Sequence, residues 1–103
     1  MAKQIIWSLK AQDSRKEILT YWNNRNKSTE YSIKLNRLIK ETIEHISLFP
    51  DVGRMTDMEN IRIKLIKDYL IIYEVSEDFI FILLIWNSRR NPDKFILNYQ
   101  LND

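Results

Sequence analysis

Ile61-Arg62-Ile63-Lys64-Leu65, Tyr69-Leu70-Ile71-Ile72-Tyr73-Glu74-Val75 and Phe79-Ile80-Phe81-Ile82-Leu83-Leu84-Ile85-Trp86 follow one another with very short connections. Asn87-Ser88-Arg89-Arg90-Asn91-Pro92 comes directly after them. Residues 61–66 alternate. Ile61, Ile63 and Leu65 fall on one side and Arg62 and Lys64 on the other, the two-residue period of a strand. Lys67-Asp68 reads as a two-residue hairpin turn, although it lacks the Asn-Gly or Asp-Gly signature. Residues 69–75 make the next strand, and Ser76-Glu77-Asp78 turns the chain again. Residues 79–86 are apolar throughout, the pattern of a central strand covered on both faces. Three such strands predict a compact antiparallel sheet. Arg62 and Lys64 on its open side, with Arg89 and Arg90 at its end, suit it to an anionic partner.

Upstream, residues 4–9 read as a short strand, with Ile5, Trp7 and Leu9 pointing one way and Ile6 breaking the alternation. Ser14-Arg15-Lys16-Glu17 has the spacing of a capping box, with Asp13 as a rival N-cap. Ile18, Leu19, Tyr21 and Trp22 then mark the apolar face of a short helix that ends in Asn23-Asn24-Arg25-Asn26-Lys27. A second helix begins near Ser28 or Thr29. Tyr31, Leu35, Leu38, Ile39, Thr42, Ile43 and Ile46 form its buried stripe, and Lys34, Arg37, Lys40, Glu41 and Glu44 cover the rest. Arg37 and Glu41 have the spacing of a surface ion pair. Leu48-Phe49-Pro50 stops this helix, because proline disfavours helix at the residue before it. Asp51-Val52-Gly53-Arg54 is a turn around the only glycine, and Met55 to Asn60 a polar loop. The tail from Pro92, with Phe95, Ile96, Leu97, Tyr99 and Leu101, reads as a short helix or an extended cover. The order strand-helix-helix-strand-strand-strand predicts an α+β domain, a helical pair on a mostly antiparallel sheet.

The 103 residues fit one domain, residues 1–103. With no cysteine and one histidine, His45, a zinc site of the thiolate and imidazole type is close to excluded, and no metal or cofactor is expected. The absence of cysteine suits a reducing cytosol. The N-terminal apolar run is too short for a signal peptide, and no stretch approaches the ~20 apolar residues of a membrane span. The expected location is therefore the cytoplasm. Net charge is only +2, so composition alone does not argue for nucleic acid. Distribution says more: Arg54, Arg62, Lys64, Lys67, Arg89 and Arg90 crowd the C-terminal half. All but Lys67 also have a plain structural reading. Arg62 and Lys64 can decorate an edge strand, Arg54 can pin its loop, and Arg89 and Arg90 can be a solvated strand end. Trp7, Trp22, Trp86 and Tyr73 read as packing residues, and His45 as structural or merely exposed. No nucleophilic triad, phosphate-cradling glycine loop or carboxylate pair is readable.

The helical pair with Ile18, Tyr21, Leu38 and Ile43, the turn Phe49-Pro50-Asp51-Val52-Gly53-Arg54, the strands Arg62-Ile63-Lys64-Leu65 and Ile72-Tyr73-Glu74-Val75, and the final strand leading to Arg89-Arg90-Asn91-Pro92 together resemble the RelE/ParE superfamily of bacterial toxins from type II toxin–antitoxin modules. The resemblance covers roughly residues 4–95. The long helical hairpin and the Pro-x-x-Gly-Arg turn are closer to the ParE branch. It implies a growth inhibitor of the plasmid-stabilisation kind, neutralised by a cognate antitoxin that folds over the helical pair and the sheet edge. Toxin and antitoxin would then form a hetero-oligomer.

The two branches imply different chemistry. ParE-like members are gyrase poisons, which makes DNA gyrase the target. RelE-like members cleave mRNA in the ribosome, where the 2′-hydroxyl attacks the adjacent phosphate with help from basic side chains. On that alternative Arg62, Lys64 and Arg89 stand where the catalytic cations would be; on either reading Arg54, Arg62, Lys64, Lys67, Arg89 and Arg90 are the expected target- or phosphate-binding residues. Two departures count against cleavage. Leu70 stands about where an arginine is expected, and Phe95 about where a tyrosine is expected; phenylalanine cannot exchange a proton. Tyr69 or Tyr99 could substitute in space. A third reading is a degenerate member that keeps only antitoxin or DNA-linked regulatory binding.

Overall fold

Ile61–Ile66 (β3) and Tyr69–Val75 (β4) pair antiparallel in the computed structural model, joined by Lys67 and Asp68. Lys67 takes a φ of 51°, so a lysine occupies the left-handed turn position that Asn or Gly usually fills. The structure describes residues 2–89; Arg90 and the expected element over 92–103 lie outside them. Phe79–Asn87 (β5) pairs antiparallel with β4 on one side. On its other side it pairs parallel with Gln4–Trp7 (β1). A two-residue strand, Arg54–Met55 (β2), adds to the free side of β3. The sheet order is β1-β5-β4-β3-β2. β2 falls in a stretch expected to be turn and loop, and two residues are too few to show a period.

Leu9–Asn26 (α1) and Glu30–Leu48 (α2) form the helical pair. α1 begins at Leu9 and not at the Ser14 box. The reason is Ser8. Its Oγ accepts from the Ala11 N–H at 3.0 Å, the N-cap bond, and donates to the Leu83 carbonyl at 2.9 Å. Ser14 lies inside the helix, with its hydroxyl bonded to the Lys10 carbonyl. α1 ends where the asparagines run out, with Lys27 in the left-handed conformation at φ 49°. The Arg37–Glu41 ion pair is not formed; on α2 the pair is Lys34–Glu30, at 3.7 Å.

The apolar run of β5 contains a bulge. Ile72 pairs with Leu84 but Tyr73 with Ile82, which leaves Leu83 as an extra residue. One extra residue reverses the alternation. Ile80, Ile82 and Ile85 therefore share the helix-facing cluster, while Trp86 belongs to the opposite one. Between sheet and helices, Leu35, Ile39, Ile43 and Ile46 of α2 pack with Ala11, Ile71 and Tyr73. On the far face, Ile61, Ile63, Leu70 and Ile72 cluster with Trp86, with Met58, Leu83 and Leu84 against them.

This corrects the expected open cationic side. Residues paired across a ladder project to the same face. Arg62 is opposite Tyr73, Lys64 opposite Ile71 and Ile66 opposite Tyr69. Arg62 and Lys64 thus project to the helix-facing side, at the margin of the sheet, and the far face is apolar. Alternation shows which residues share a side, not which side the helices cover.

Candidate target-binding surface

Phe49 to Arg54 carries the chain from α2 into the sheet. Pro50–Val52 makes one 3₁₀ turn, with Pro50 at its start, where a missing N–H costs nothing. Two side chains from the sheet hold this turn. The Tyr73 hydroxyl donates to the Pro50 carbonyl at 2.7 Å and accepts from the Gly53 N–H at 2.9 Å. The Arg62 guanidinium donates to the Gly53 carbonyl at 2.7 Å and to the Asp51 carbonyl at 3.3 Å. Its second Nη lies 3.4 Å from the Asp51 carboxylate. Both backbone groups of Gly53 are therefore claimed by the sheet.

Gly53 has an ordinary φ of −78°, so no left-handed conformation demands glycine. Close approach does. A Cβ there would lie 2.5 Å from the Tyr73 hydroxyl and 3.0 Å from the Ile63 carbonyl. Tyr73 is fully buried and has no room to retreat. The arginine that pins this loop is Arg62, from the neighbouring strand; Arg54 is exposed on β2.

Burial pushes the Tyr73 phenol above its ordinary value, partly offset by the Gly53 hydrogen bond and by Arg62. Tyr69 is raised for the same first reason, offset by the bond it accepts from Trp22 Nε1 at 2.7 Å. The raised value means that the folded chain keeps these protons at a pH where the unfolded chain has lost them. Stability is then fully present below pH 10 and falls as pH rises past it. The midpoint of urea unfolding should decline from pH 9 to pH 11, and decline less steeply in Tyr73→Phe, measured over the same range so that the lysines cancel.

The five described cations of interest do not form one cluster. Arg62 is engaged by the turn and its side chain is 22% exposed. Lys64 is half-buried beside it on β3, and Arg54 and Lys67 are exposed. Arg89 is exposed just past β5, 3.7 Å from Asp68, with its N–H on Asn87 Oδ1 at 2.9 Å. The Ser88 N–H on the Asp68 carbonyl, at 2.8 Å, ties this end to the Lys67–Asp68 turn. Lys67 and Arg89 thus share the hairpin end of the sheet. At about 3.3 Å per strand residue, Arg62 and Lys67 are roughly 16 Å apart along β3. Arg90 lies outside the described residues.

Beside this end a groove of about 820 Å³ runs between α1 and the last residues of β5, lined by Ile18, Tyr21, Trp22, Tyr69, Leu84 and Arg89 among others. Sequence reasoning missed it, because it depends on β5 outrunning β1: only Phe79–Ile82 have β1 partners. Among the described residues no group of three or more His, Cys, Asp or Glu is gathered as a metal would need. No described helix is long and apolar enough to cross a membrane.

The family model described as "ParE toxin of type II toxin-antitoxin system, parDE" matches residues 5–92. Among solved structures, the chain is similar to one titled "Chromosomal ParDE TA system from P. aeruginosa". The TM-score is 0.73 and the identity 17%, over 85% of this chain and 98% of that one. At that identity the likeness concerns the fold. No curated protein matches the chain.

Proposed function

Since this chain belongs to the ParE toxin family of type II toxin–antitoxin systems, we propose that it arrests growth by binding and poisoning DNA gyrase, without breaking covalent bonds itself. The observation that carries this reading is the spread of its cations. Cleavage by a RelE-like route needs basic groups converging on one scissile phosphate, placed to stabilise the charge that develops there. Here Arg62 is engaged by Gly53 and Asp51, and Arg89 lies at the hairpin end of the sheet, beside Asp68. Spread cations suit a broad contact with a large target, in which rim charges steer the encounter. Lys67 and Arg89 are the leading contacts, with Arg54, Lys64 and Arg90 as further ones, and Arg62 supports the turn behind them. A cognate antitoxin neutralises the toxin in the cytoplasm by folding over the helical pair and the sheet edge, where the groove beside α1 offers an apolar seat with a polar rim.

Expression of the chain without its antitoxin tests this. Growth should stop, chromosomal double-strand breaks should accumulate, and transcripts should remain intact. Transcripts cut at the ribosomal A site with no DNA breaks would replace this reading by the ribonuclease one.

A further inference from the structure

The outward face of α2 has a pattern that its fold does not use. Ile33, Arg37, Lys40, Glu41, Glu44 and Leu48 recur at intervals of 4, 3, 1, 3 and 4. These intervals keep them on one stripe of a helix, and they read the same in both directions. All six are exposed, with Ile33 at 55% and Leu48 at 56%. The buried residues Leu35, Ile39, Ile43 and Ile46 occupy the opposite face. Among the described residues none of the four charges is ion-paired, although Arg37–Glu41 and Lys40–Glu44 both have the i, i+4 spacing for it.

We propose that this stripe is a self-association surface, on which α2 of one copy lies antiparallel against α2 of a second copy about a twofold axis. An isologous contact requires a surface complementary to itself. With the axis between Lys40 and Glu41, these two residues lie on the two flanks of the seam, and the facing contacts are made by the residues beyond them. Arg37 meets Glu44 of the second copy, and Ile33 meets Leu48. The basic half of each stripe thus lies on the acidic half of the other, closed at each end by an apolar pair. The two Arg37–Glu44 pairs generated by one twofold axis make a second copy the occupant this face fits.

One helix per copy covers less area than a standard specific interface, so the dissociation constant should be on the order of tens of micromolar. The charge pairs should make it weaken with salt.

Sedimentation velocity on the full chain, from low to several hundred micromolar at low salt, tests the proposal. The wild type should shift from monomer to dimer. Glu44→Lys places a lysine against Arg37 and should raise the dissociation constant at least tenfold. Adding Arg37→Glu reverses the pair and should return it to within about threefold of wild type, which mere loss of surface charge would not do. Leu48→Ser should weaken the dimer independently, and circular dichroism melting should show all three variants folded. A chain that stays monomeric throughout, a dimer indifferent to Glu44→Lys, or a double variant that fails to recover would overturn the proposal. So would a Glu44→Lys effect confined to antitoxin binding, which would assign the stripe to that partner.

Discussion

Tyr73→Ala should leave little or no folded protein. The side chain is fully buried in the helix-facing cluster, and truncating a buried aromatic ring costs about 3–5 kcal/mol. The hydroxyl adds to this, because its removal orphans the buried Gly53 N–H, at roughly 1–3 kcal/mol, and releases the part-buried Pro50 carbonyl. Domains of this size hold about 5–15 kcal/mol in total, so the sum takes most of it. Tyr73→Phe separates the two parts. The ring stays and only the turn is released. The expected loss is about 1–3 kcal/mol, or roughly 10 °C in Tm, with an unchanged urea slope. If Tyr73→Phe melts with the wild type, the hydroxyl does not hold the turn.

The second large effect separates support from contact. Arg62→Ala removes a charge-assisted hydrogen bond to the Gly53 carbonyl, worth about 1.5–3 kcal/mol. Its ion pair adds little, since Asp51 is 90% exposed and exposed pairs are worth less than about 1 kcal/mol. Urea unfolding should therefore show a clear loss in Arg62→Ala and almost none in Asp51→Ala. The double variant Lys67→Ala with Arg89→Ala should do the reverse. It stays within about 0.5 kcal/mol of wild type, as surface changes do, yet loses growth arrest, because exposed charges serve the encounter and not the fold. Full toxicity in that double variant, or wild-type stability in Arg62→Ala, would exchange the roles assigned to the two ends of β3.

Much of this molecule is legible in its residues. The alternation over 61–66, the Lys67-Asp68 turn and the stripe on α2 each report a local period, and each element lies where its period puts it. The features that escaped are non-local. α1 starts at Leu9 because Ser8 is bonded to Leu83, 75 positions along the chain, and no capping box records that. The bulge at Leu83 sits in an all-apolar run, where one extra residue changes no pattern. The cations are the least legible part, because a strand shows which side chains are neighbours but not which face is covered. Arg62 looked free in the sequence. It is engaged because Tyr73, paired with it across the ladder, brings the Pro50–Gly53 turn within reach.

The decisive measurement combines the purified chain in one reaction series with supercoiled DNA and gyrase, and in another with translating ribosomes and mRNA. Linear, gyrase-linked DNA that accumulates with added protein and is suppressed by the antitoxin, while the message stays whole, is the result expected of a binding poison. Message cut between codon positions, with DNA untouched, would contradict it.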